Sequence, residues 1–365
     1  MYYRTYPKET TPQFKQLSID YLYNNLSNTV NDTPRTTFTV PKVTVRKEDI
    51  VEWNQVNNYT YFENILQNNN PEISYTTYRI PKTTGGYRTI SAPNEELKLI
   101  QRQLNDALFL MKAYAHDSAY AYVNGRSCKQ ALEKHANAGT KWFYKFDIKD
   151  FFPTCTKELL EAVLPIVYPF NAMPKELLDK LLHIALKDNS LPQGSPLSPL
   201  LSNLVLTPFD FSMYYSIKHF GGVYTRYADD ILISLPERKE LSFIQHLISK
   251  HLKEQVSHNL KLNVEKSRCG SIAGSNWNLG LMLNKDHNIT LGHKKKMELK
   301  AKINNFIFDF TNENFWSIID TQVLQGEINY FKQIEPEYAD FVIKRLERKY
   351  NNISLTGCIK HILTS

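Results

Sequence analysis

The feature that most constrains this chain is a pair of adjacent acidic residues set between two apolar, strand-forming runs. The tetrapeptide YADD occupies residues 227–230, with residues 223–226 (VYTR) before it and residues 231–233 (ILI) after it. This arrangement predicts a β-hairpin that carries both carboxylates towards a core. At an effective dielectric of about 20, two unit charges about 4 Å apart repel by about 4 kcal/mol. The pair therefore suits a site where a cation neutralises it, whereas an isolated Asp-Asp pair is more often a plain surface turn.

A third carboxylate, Asp147, stands in a matching setting. Residues 142–148 (WFYKFDI) are aromatic and β-branched, which is typical of a buried strand, and Pro153 just beyond stops the ladder of strand hydrogen bonds. A strand end with Asp147 and a hairpin turn with Asp229 and Asp230 can meet only through tertiary folding. Three carboxylates at strand ends suit hard divalent cations such as Mg²⁺. Two such ions clamp the attacking and leaving oxygens of a phosphoryl displacement, so the sequence predicts nucleotidyl transfer.

Composition limits the class of protein without deciding it. The 365 residues allow a sizeable core or several packed subdomains, and 44 Lys and Arg against 37 Asp and Glu give a formal charge of +7, compatible with a polyanionic partner. The 22 Tyr and 19 Phe include faces suited to base stacking. The four cysteines lack metal-site spacing and indicate free thiols in a reducing compartment. With neither a signal peptide nor a long apolar run in the sequence, we expect a cytoplasmic protein without a membrane partner.

Periodicity along the chain predicts an α+β fold. Two strands joined around residues 82–86 precede a helix over 97–111, and a second amphipathic helix is expected over 239–255. Strands flank the acidic positions, whereas apolar residues at helical spacing fill the last quarter of the chain. A mixed palm-like sheet with helices appended to it accommodates both patterns.

The chain resembles bacterial reverse transcriptases of the group that includes retron, group II intron and phage-defence enzymes. The matching segments run in the family's order and are 78–82 (YRIPK), 85–90 (GGYRTI), 97–98 (LK), 101–102 (QR), 119–122 (AYAY), 125–127 (GRS), 146–152 (FDIKDFF), 191–196 (LPQGSP), 198–203 (SPLLSN), 226–230 (RYADD), 279–281 (LGL) and 324–330 (LQGEINY). The resemblance implies an RNA-directed DNA polymerase with a right-hand fold: fingers, a palm with an antiparallel sheet, and a helical thumb.

The same resemblance implies a division of the chain into domains. We expect a partly helical N-terminal extension at 1–70, fingers at 71–145, a palm at 146–290 with a finger-contributing insert at about 155–190, and a helical thumb at 291–365.

The resemblance also implies a metal centre and a sugar gate. Asp147, Asp229 and Asp230 are the expected catalytic carboxylates, and with the backbone carbonyl of Ile148 they are expected to bind two Mg²⁺ ions, for which Mn²⁺ can substitute. Phe152 is expected beneath the sugar of the incoming nucleotide, where its ring excludes a 2′-hydroxyl and selects dNTPs. The alternative for Phe152 is a plain core position.

Further residues are expected to contact nucleotide or nucleic acid. Those expected at the incoming nucleotide are Lys82, Arg88, Phe152, Gln193, Gly194 and Lys266. Those expected along the primer and template strands are Gly280, Lys294, Lys295, Lys296, Arg345 and Lys349. The planar fork of an arginine holds two phosphate oxygens, whereas a lysine acts as a point charge. For the lysine and arginine runs the alternative is a solvated helix face.

The chain departs from retron enzymes at two motifs. Retron enzymes carry Asn-Ala-x-x-His before the first catalytic strand, where this chain has residues 130–135 (QALEKH), and Val-Thr-Gly where it has residues 278–280 (NLG). We therefore favour a stand-alone enzyme that copies its own structured non-coding RNA into DNA in antiphage defence. A retron enzyme that makes branched RNA–DNA is the runner-up.

Other readings of the same residues stay open. They are an RNA-dependent RNA polymerase, a template-independent or protein-primed DNA polymerase, and a catalytically silent nucleic-acid-binding scaffold. An oligomer or an accessory defence protein is also open as a partner, beside the RNA template, the DNA product and the dNTPs.

Overall fold

The computed structural model describes residues 57–81, 85–274 and 276–364, so that most of the expected N-terminal extension lies outside the described residues. The helices are α1 Asn57–Asn68, α2 Glu95–Leu110, α3 Cys128–Asn137, α4 Phe151–Thr154, α5 Lys157–Val163, α6 Lys175–Ala185, α7 Ser198–Val205, α8 Thr207–His219, α9 Leu241–Gln255, α10 His293–Thr311, α11 Ile318–Ile334, α12 Pro336–Lys349 and α13 Leu355–Thr364. The strands are β1 Tyr75–Pro81, β2 Tyr87–Pro93, β3 Trp142–Asp147, β4 Val223–Tyr227, β5 Asp230–Leu235, β6 Arg268–Ser271, β7 Asn276–Asn278, β8 Leu281–Leu283 and β9 Ile289–Thr290. This mixture confirms the predicted α+β class.

A four-stranded antiparallel sheet in the order β4-β5-β3-β6 carries the acidic residues. Its strands are apolar because both faces are covered: β5 is buried at every position from Ile231 to Leu235, and Phe143, Tyr144 and Phe146 of β3 are buried as well. Helix α8 packs against β4 and α9 packs against α8, while α3 packs against β4. The two predicted central strands are confirmed, and the rigid sheet fixes where their ends lie.

The first hairpin, β1-β2, is a separate two-stranded sheet with register partners from Tyr75↔Pro93 to Pro81↔Tyr87. Its base is tied to neighbouring elements, since Nε2 of Gln101 in α2 donates to the Tyr75 hydroxyl over 3.0 Å. Nζ of Lys187 also donates to Thr77 Oγ1 over 2.9 Å and to Ser91 Oγ over 3.1 Å. The side chain of Asn94 caps the following helix by accepting from the amide of Leu97, as its position before an apolar-periodic run suggests.

Two hydrophobic cores divide the described residues. The larger one joins α1, α2 and α5–α9 to the four-stranded sheet. The second joins the C-terminal helices α10–α13 to the sheet β7-β8-β9, and it includes Leu132 of α3, Phe143 of β3 and Leu232 of β5. The helical C-terminal segment predicted from periodicity is thereby confirmed, and its packing reaches the sheet that carries the acidic residues.

Two expectations about the whole chain can also be compared with the structure. All four cysteines have free thiols, as their spacing predicts. Among the helices in the described part of the chain, none combines the length and hydropathy needed to cross a bilayer.

Candidate active site

The register of the central sheet brings the predicted carboxylates together. Asp147 at the end of β3 lies directly opposite Asp230 at the start of β5. Opposed residues in an antiparallel pair have Cα atoms about 4.5–5.5 Å apart and project to the same face. The amide of Ile148 donates to the backbone carbonyl of Asp229 over 3.0 Å, which ties the third acidic residue to the same strand end. Three acidic residues remote in sequence, Asp147, Asp229 and Asp230, therefore lie together at one end of the central strands, which we call the acidic edge.

The turn between β4 and β5 has two central residues, Ala228 and Asp229, because Tyr227 pairs directly with Asp230. Ala228 has φ +57°, the left-handed conformation that such tight turns require. This conformation costs a residue with a Cβ about 1–2 kcal/mol, so the surrounding structure must hold it. The turn is accordingly a defined, stabilised element that fixes the direction of Asp229.

The carboxylates destabilise one another's charge. Burial raises the pKa of Asp229, and the charges of Asp230 and Asp147 raise it further. Burial also raises the pKa of Asp230, against the effect of Lys145, whose Nζ lies 3.3 Å from Asp230 Oδ1. Nζ of Lys266 lies 3.0 Å from Asp147 Oδ2. Negative charge is thus concentrated at a partly buried site that attracts cations.

The ammonium groups of Lys145 and Lys266 neutralise part of the negative charge of these carboxylates. Among residues 57–81, 85–274 and 276–364, no three His, Cys, Asp or Glu side chains are arranged so that they could hold a metal ion by themselves. The donor set nevertheless fits hard divalent cations, which take carboxylate and carbonyl oxygens and retain waters or substrate phosphates in place of a full protein cage. The Lys266 side chain is 57% exposed, so it can swing away from Asp147 without opening the core.

Of the predicted nucleotide-binding residues, Lys266 lies against Asp147 at this strand end. Lys82 lies outside the described residues. Arg88 is an exposed residue of β2, opposite Ile80 and on the same strand face as Ile90. A Cβ on Gly194 would lie 3.0 Å from the Ile90 side chain. The strand face that carries Ile90 and Arg88 is therefore turned towards the Gln193-Gly194 loop.

The Gln193-Gly194 loop docks directly on the backbone of β2. The Gln193 carbonyl accepts from the amide of Ser91 over 2.7 Å. Gly194 has φ +120°, and a Cβ there would lie 2.6 Å from the Ser91 carbonyl oxygen. Only glycine allows this approach, since both the conformation and the contact exclude a side chain. The resemblance implies contact of Gly194 with the incoming nucleotide, whereas the surface that Gly194 approaches in this structure is the β2 strand.

Phe152 lies on the short helix α4, four residues after Ile148. Its ring is half-buried against the larger core and tilted against the ring of Phe151, with the centroids 5.7 Å apart. Phe151 is the buried member of the pair, whereas part of the Phe152 ring is exposed. Asp150 before the helix has φ +45° and turns the chain sharply from β3 into α4.

The residues predicted along the primer and template strands fall into two groups. Gly280 sits in the β7-β8 turn, where Nζ of Lys295 donates to its carbonyl over 3.0 Å. Lys294 is exposed beside Glu298, whereas Lys296 is mostly buried against Glu335 and the Tyr338 ring. On α12, Arg345 is exposed, and Nζ of Lys349, also exposed, donates to Asn304 Oδ1 over 2.8 Å. The charge of Lys296 is therefore already compensated within the protein, unlike that of exposed Arg345.

A buried polar network behind the β4-β5 turn was not predicted from the sequence. The Arg226 side chain is fully buried, and it donates from Nε and Nη2 to the two oxygens of Asp210 over 2.8 and 2.6 Å. Nη1 of Arg226 donates to Asn203 Oδ1 over 2.9 Å and to the Ala228 carbonyl over 3.0 Å. Tyr224 adds a hydrogen bond to Asp210. A buried charged group that is hydrogen-bonded to three residues, one of them Ala228, fixes the backbone of the turn.

A second buried network crosses the back of the hairpin. His135 of α3 is fully buried, with Nδ1 2.7 Å from Ser234 Oγ and Nε2 2.8 Å from Thr225 Oγ1. Burial, with a smaller effect of the Lys134 charge, lowers the pKa of His135 to about 3, so the ring is neutral. This residue ends the QALEKH segment in which the sequence departs from retron enzymes, and here it ties α3 to β4 and β5.

Comparisons with known proteins agree with this geometry. The sequence model of the family described as reverse transcriptase (RNA-dependent DNA polymerase) matches residues 80–299. The chain is 32% identical over 280 residues to the Retron Ec73 reverse transcriptase of Escherichia coli, covering 74% of this chain and 85% of the relative. It is 29% identical over 303 residues to the Retron Ec83 reverse transcriptase of the same species, covering 81% and 93%.

A solved telomerase structure from Candida albicans aligns with a TM-score of 0.46 at 13% identity, covering 86% of this chain and 59% of that one. The family match and the similarity to retron enzymes together show which family the chain belongs to. The chain is a member of the reverse transcriptase family, which generally uses divalent metal ions; it has the right-hand fold of that family and is an RNA-directed DNA polymerase.

Proposed function

We propose that this enzyme copies a structured non-coding RNA into DNA with two Mg²⁺ ions and dNTPs, and that it serves antiphage defence. The observation that carries the proposal is the pairing of Asp147 with Asp230 at the strand end to which Asp229 is also tied. Support for an RNA template comes from the family match and from relatives named as retron reverse transcriptases. The boundaries of fingers, palm and thumb stay predictions.

In this proposal Asp147, Asp229, Asp230 and the carbonyl of Ile148 hold the ions. When bound, divalent ions lower the pKa of the attacking 3′-hydroxyl and stabilise the pyrophosphate that leaves. If bound ions displaced Lys266 from Asp147, its ammonium group would be available to contact the leaving phosphates. Its exposed position and its distance of 3.0 Å from Asp147 support that role.

The remaining residues orient the nucleotide. Arg88, with Lys82 in the same hairpin, holds the triphosphate through its planar fork. Gly194 lets the Gln193-Gly194 loop dock on β2, which fixes the loop proposed to contact the nucleotide, and the half-buried ring of Phe152 fills the space where a 2′-hydroxyl would lie. The turn held by Arg226 keeps Asp229 in place, so the carboxylates are organised before substrate binds.

A second product is favoured by one specific observation. Several similar curated proteins are named as retron reverse transcriptases, and this makes a branched RNA–DNA product the second candidate. The QALEKH segment argues for the stand-alone enzyme instead.

The experiment is DNA synthesis by purified protein together with the nucleic acid that co-purifies with it. Labelled dNTPs or labelled rNTPs are added with Mg²⁺, with or without RNase pre-treatment. We expect incorporation of dNTPs only, abolished by RNase, and absent from an Asp229→Asn/Asp230→Asn variant with an unchanged unfolding midpoint. Incorporation of rNTPs, RNase-resistant synthesis, or an active double variant would each overturn the proposal. Sensitivity of the product to a 2′,5′-debranching enzyme separates the retron product from an unbranched one.

A further inference from the structure

A short extended segment runs beside the catalytic hairpin on the side of β4 that faces away from β5. The amide of Arg226 donates to the Ser118 carbonyl over 2.7 Å, and the amide of Tyr120 donates to the Arg226 carbonyl over 2.8 Å. The pairing at Ala119 is parallel to β4. Two residues further along both segments, this register brings Ala121 level with Ala228, and Tyr122 follows directly at the β4-β5 turn. The segment is held there by Asn203, whose Nδ2 donates to the Ala121 carbonyl over 2.8 Å.

The conformation of Tyr122 is unusual for its residue type. Ala119, Tyr120 and Ala121 are buried, but the chain then turns at Tyr122 with φ +58°, and this residue is 53% exposed. A bulky residue in the left-handed region is a genuine outlier, and such outliers concentrate at functional sites. Asn or Gly would adopt this conformation with less strain. Tyr122 thus presents an aromatic ring at the surface at a position where Asn or Gly would give a less strained backbone.

The surroundings of Tyr122 are those of the active site. Partial burial raises the pKa of its hydroxyl, the Asp229 carboxylate and the Tyr227 hydroxyl raise it further, and the charge of Arg88 lowers it. The ring is therefore near the catalytic turn and near the hairpin residue proposed to hold the triphosphate. Lys266 and Asp147 lie towards β6, on the opposite flank of the sheet order β4-β5-β3-β6.

We propose that the ring of Tyr122 is a stacking platform for a nucleobase at the insertion site, contributed by the template strand or by the incoming nucleotide. An aromatic face beside a phosphate-binding arginine suits a base, and every base has a face that can stack. The experiment below distinguishes the two sources of that base. This inference rests on the function proposed above.

The test compares three substitutions in the full-length protein. Tyr122→Asn removes the ring and tolerates positive φ, Tyr122→Phe retains the ring, and Tyr61→Asn changes an exposed tyrosine of α1 as a matched control. Thermal unfolding midpoints confirm that each variant is folded. The readouts are the dissociation constant of an RNA template–DNA primer duplex, by fluorescence anisotropy, and the KM for the next dNTP.

We expect Tyr122→Asn to raise either the dissociation constant of the duplex or the KM for the next dNTP by about tenfold, which corresponds to about 1.4 kcal/mol of lost stacking. Tyr122→Phe is expected to recover most of the loss. A change in duplex affinity assigns the base to the template, and a change in KM alone assigns it to the incoming nucleotide. With an abasic residue at the templating position, wild type and Tyr122→Asn should bind the duplex equally if the template base is the partner.

The inference is overturned if Tyr122→Asn stays within twofold of wild type in both constants, or if Tyr122→Phe loses as much as Tyr122→Asn. Either result in an enzyme that still makes RNA-templated DNA would leave the proposed function intact. A wild-type protein without RNA-templated synthesis would instead remove the proposed function.

Discussion

Arg226 and Ala228 are joined by a hydrogen bond of 3.0 Å from the guanidinium Nη1 to the carbonyl oxygen in the catalytic turn. The same guanidinium is paired with Asp210 of α8 at a fully buried site. A helix in the core therefore determines the backbone path next to Asp229. Arginine suits this position because its fork can satisfy a carboxylate and several carbonyl-type oxygens at once.

Asp210→Asn is expected to lower the free energy of unfolding by about 3–5 kcal/mol, because it leaves Arg226 charged, buried and without a countercharge. Glu327→Gln is the matched control, since it breaks an exposed ion pair with Lys302 and should cost less than about 1 kcal/mol. Urea unfolding at neutral pH measures both losses. Equal small losses for the two variants would show that the buried pair is not needed for stability.

Gly194→Ala is expected to reduce kcat/KM for dNTPs by at least about tenfold, because the new Cβ would lie 2.6 Å from the Ser91 carbonyl and force the loop from β2. Gly326→Ala on α11 is the control. Nothing lies within 4 Å of a Cβ there, and alanine should stabilise the helix by up to about 1 kcal/mol. Steady-state kinetics and unfolding midpoints check the pair. An active Gly194→Ala enzyme with normal KM would contradict the tight loop contact.

Phe152→Val is expected to lower the preference for dNTPs over rNTPs by at least about tenfold, or about 1.4 kcal/mol in transition-state discrimination. A smaller side chain would make room for the 2′-hydroxyl while leaving the carboxylates in place. Phe151→Leu, a change in the buried neighbouring ring, serves as the control and should alter stability more than sugar selection. The measurement is the ratio of kcat/KM for dCTP and CTP on one RNA template. An unchanged ratio would show that Phe152 is a core residue that does not select the sugar.

Acid is expected to destabilise the protein through His135. Its pKa is about 3 in the folded protein, where burial excludes the charged form, and about 6.5 in the unfolded chain. The unfolded state therefore binds the extra proton, and the stability present above pH 6.5 is lost as pH falls towards 3, by about 1.4 kcal/mol per pH unit. The buried His251, with Ser212 and Ser216 against its ring, acts in the same direction.

His135→Gln should flatten this dependence, because glutamine can contact Ser234 or Thr225 but does not titrate. Urea unfolding at pH 7, 6 and 5 gives the slope for wild type and variant. Since Lys134 also lowers the His135 pKa, Lys134→Gln is the companion variant and should change the slope only slightly. An identical slope for His135→Gln would exclude His135 as the acid-sensitive group.

The acidic edge could be predicted from sequence because each carboxylate lies at the end of an apolar strand or in the turn beside it. Once such strands pair, few registers keep their apolar residues buried, and these bring the strand ends together. The hairpin around residues 82–86 and the helices near 97–111 and 239–255 were likewise predicted by turn residues and by apolar spacing. These signals are local, and local periodicity survives in the folded protein whenever one face of the element is buried.

The buried networks could not be predicted in the same way. Asp210 stands in an aromatic-rich helix where one acidic residue gives no sign of its partner, and Arg226 is 16 positions further along the chain. His135 and its partners Thr225 and Ser234 are likewise separated by about a hundred positions. Polar residues on buried faces do signal that a partner exists, but only the tertiary structure identifies it.

The anchored base of the first hairpin limits how an incoming nucleotide can be admitted. Tyr75, Thr77 and Ser91 are each tied to α2, to Lys187 or to the Gln193 loop, whereas the strand residues nearer the tip are exposed. Bending is thus easiest beyond the anchored base, and in the proposed function Arg88 would move towards the nucleotide while that base stays fixed. Capture of a nucleotide would then shift only the strand residues beyond the base, and the separate four-stranded sheet that carries the carboxylates would keep its position.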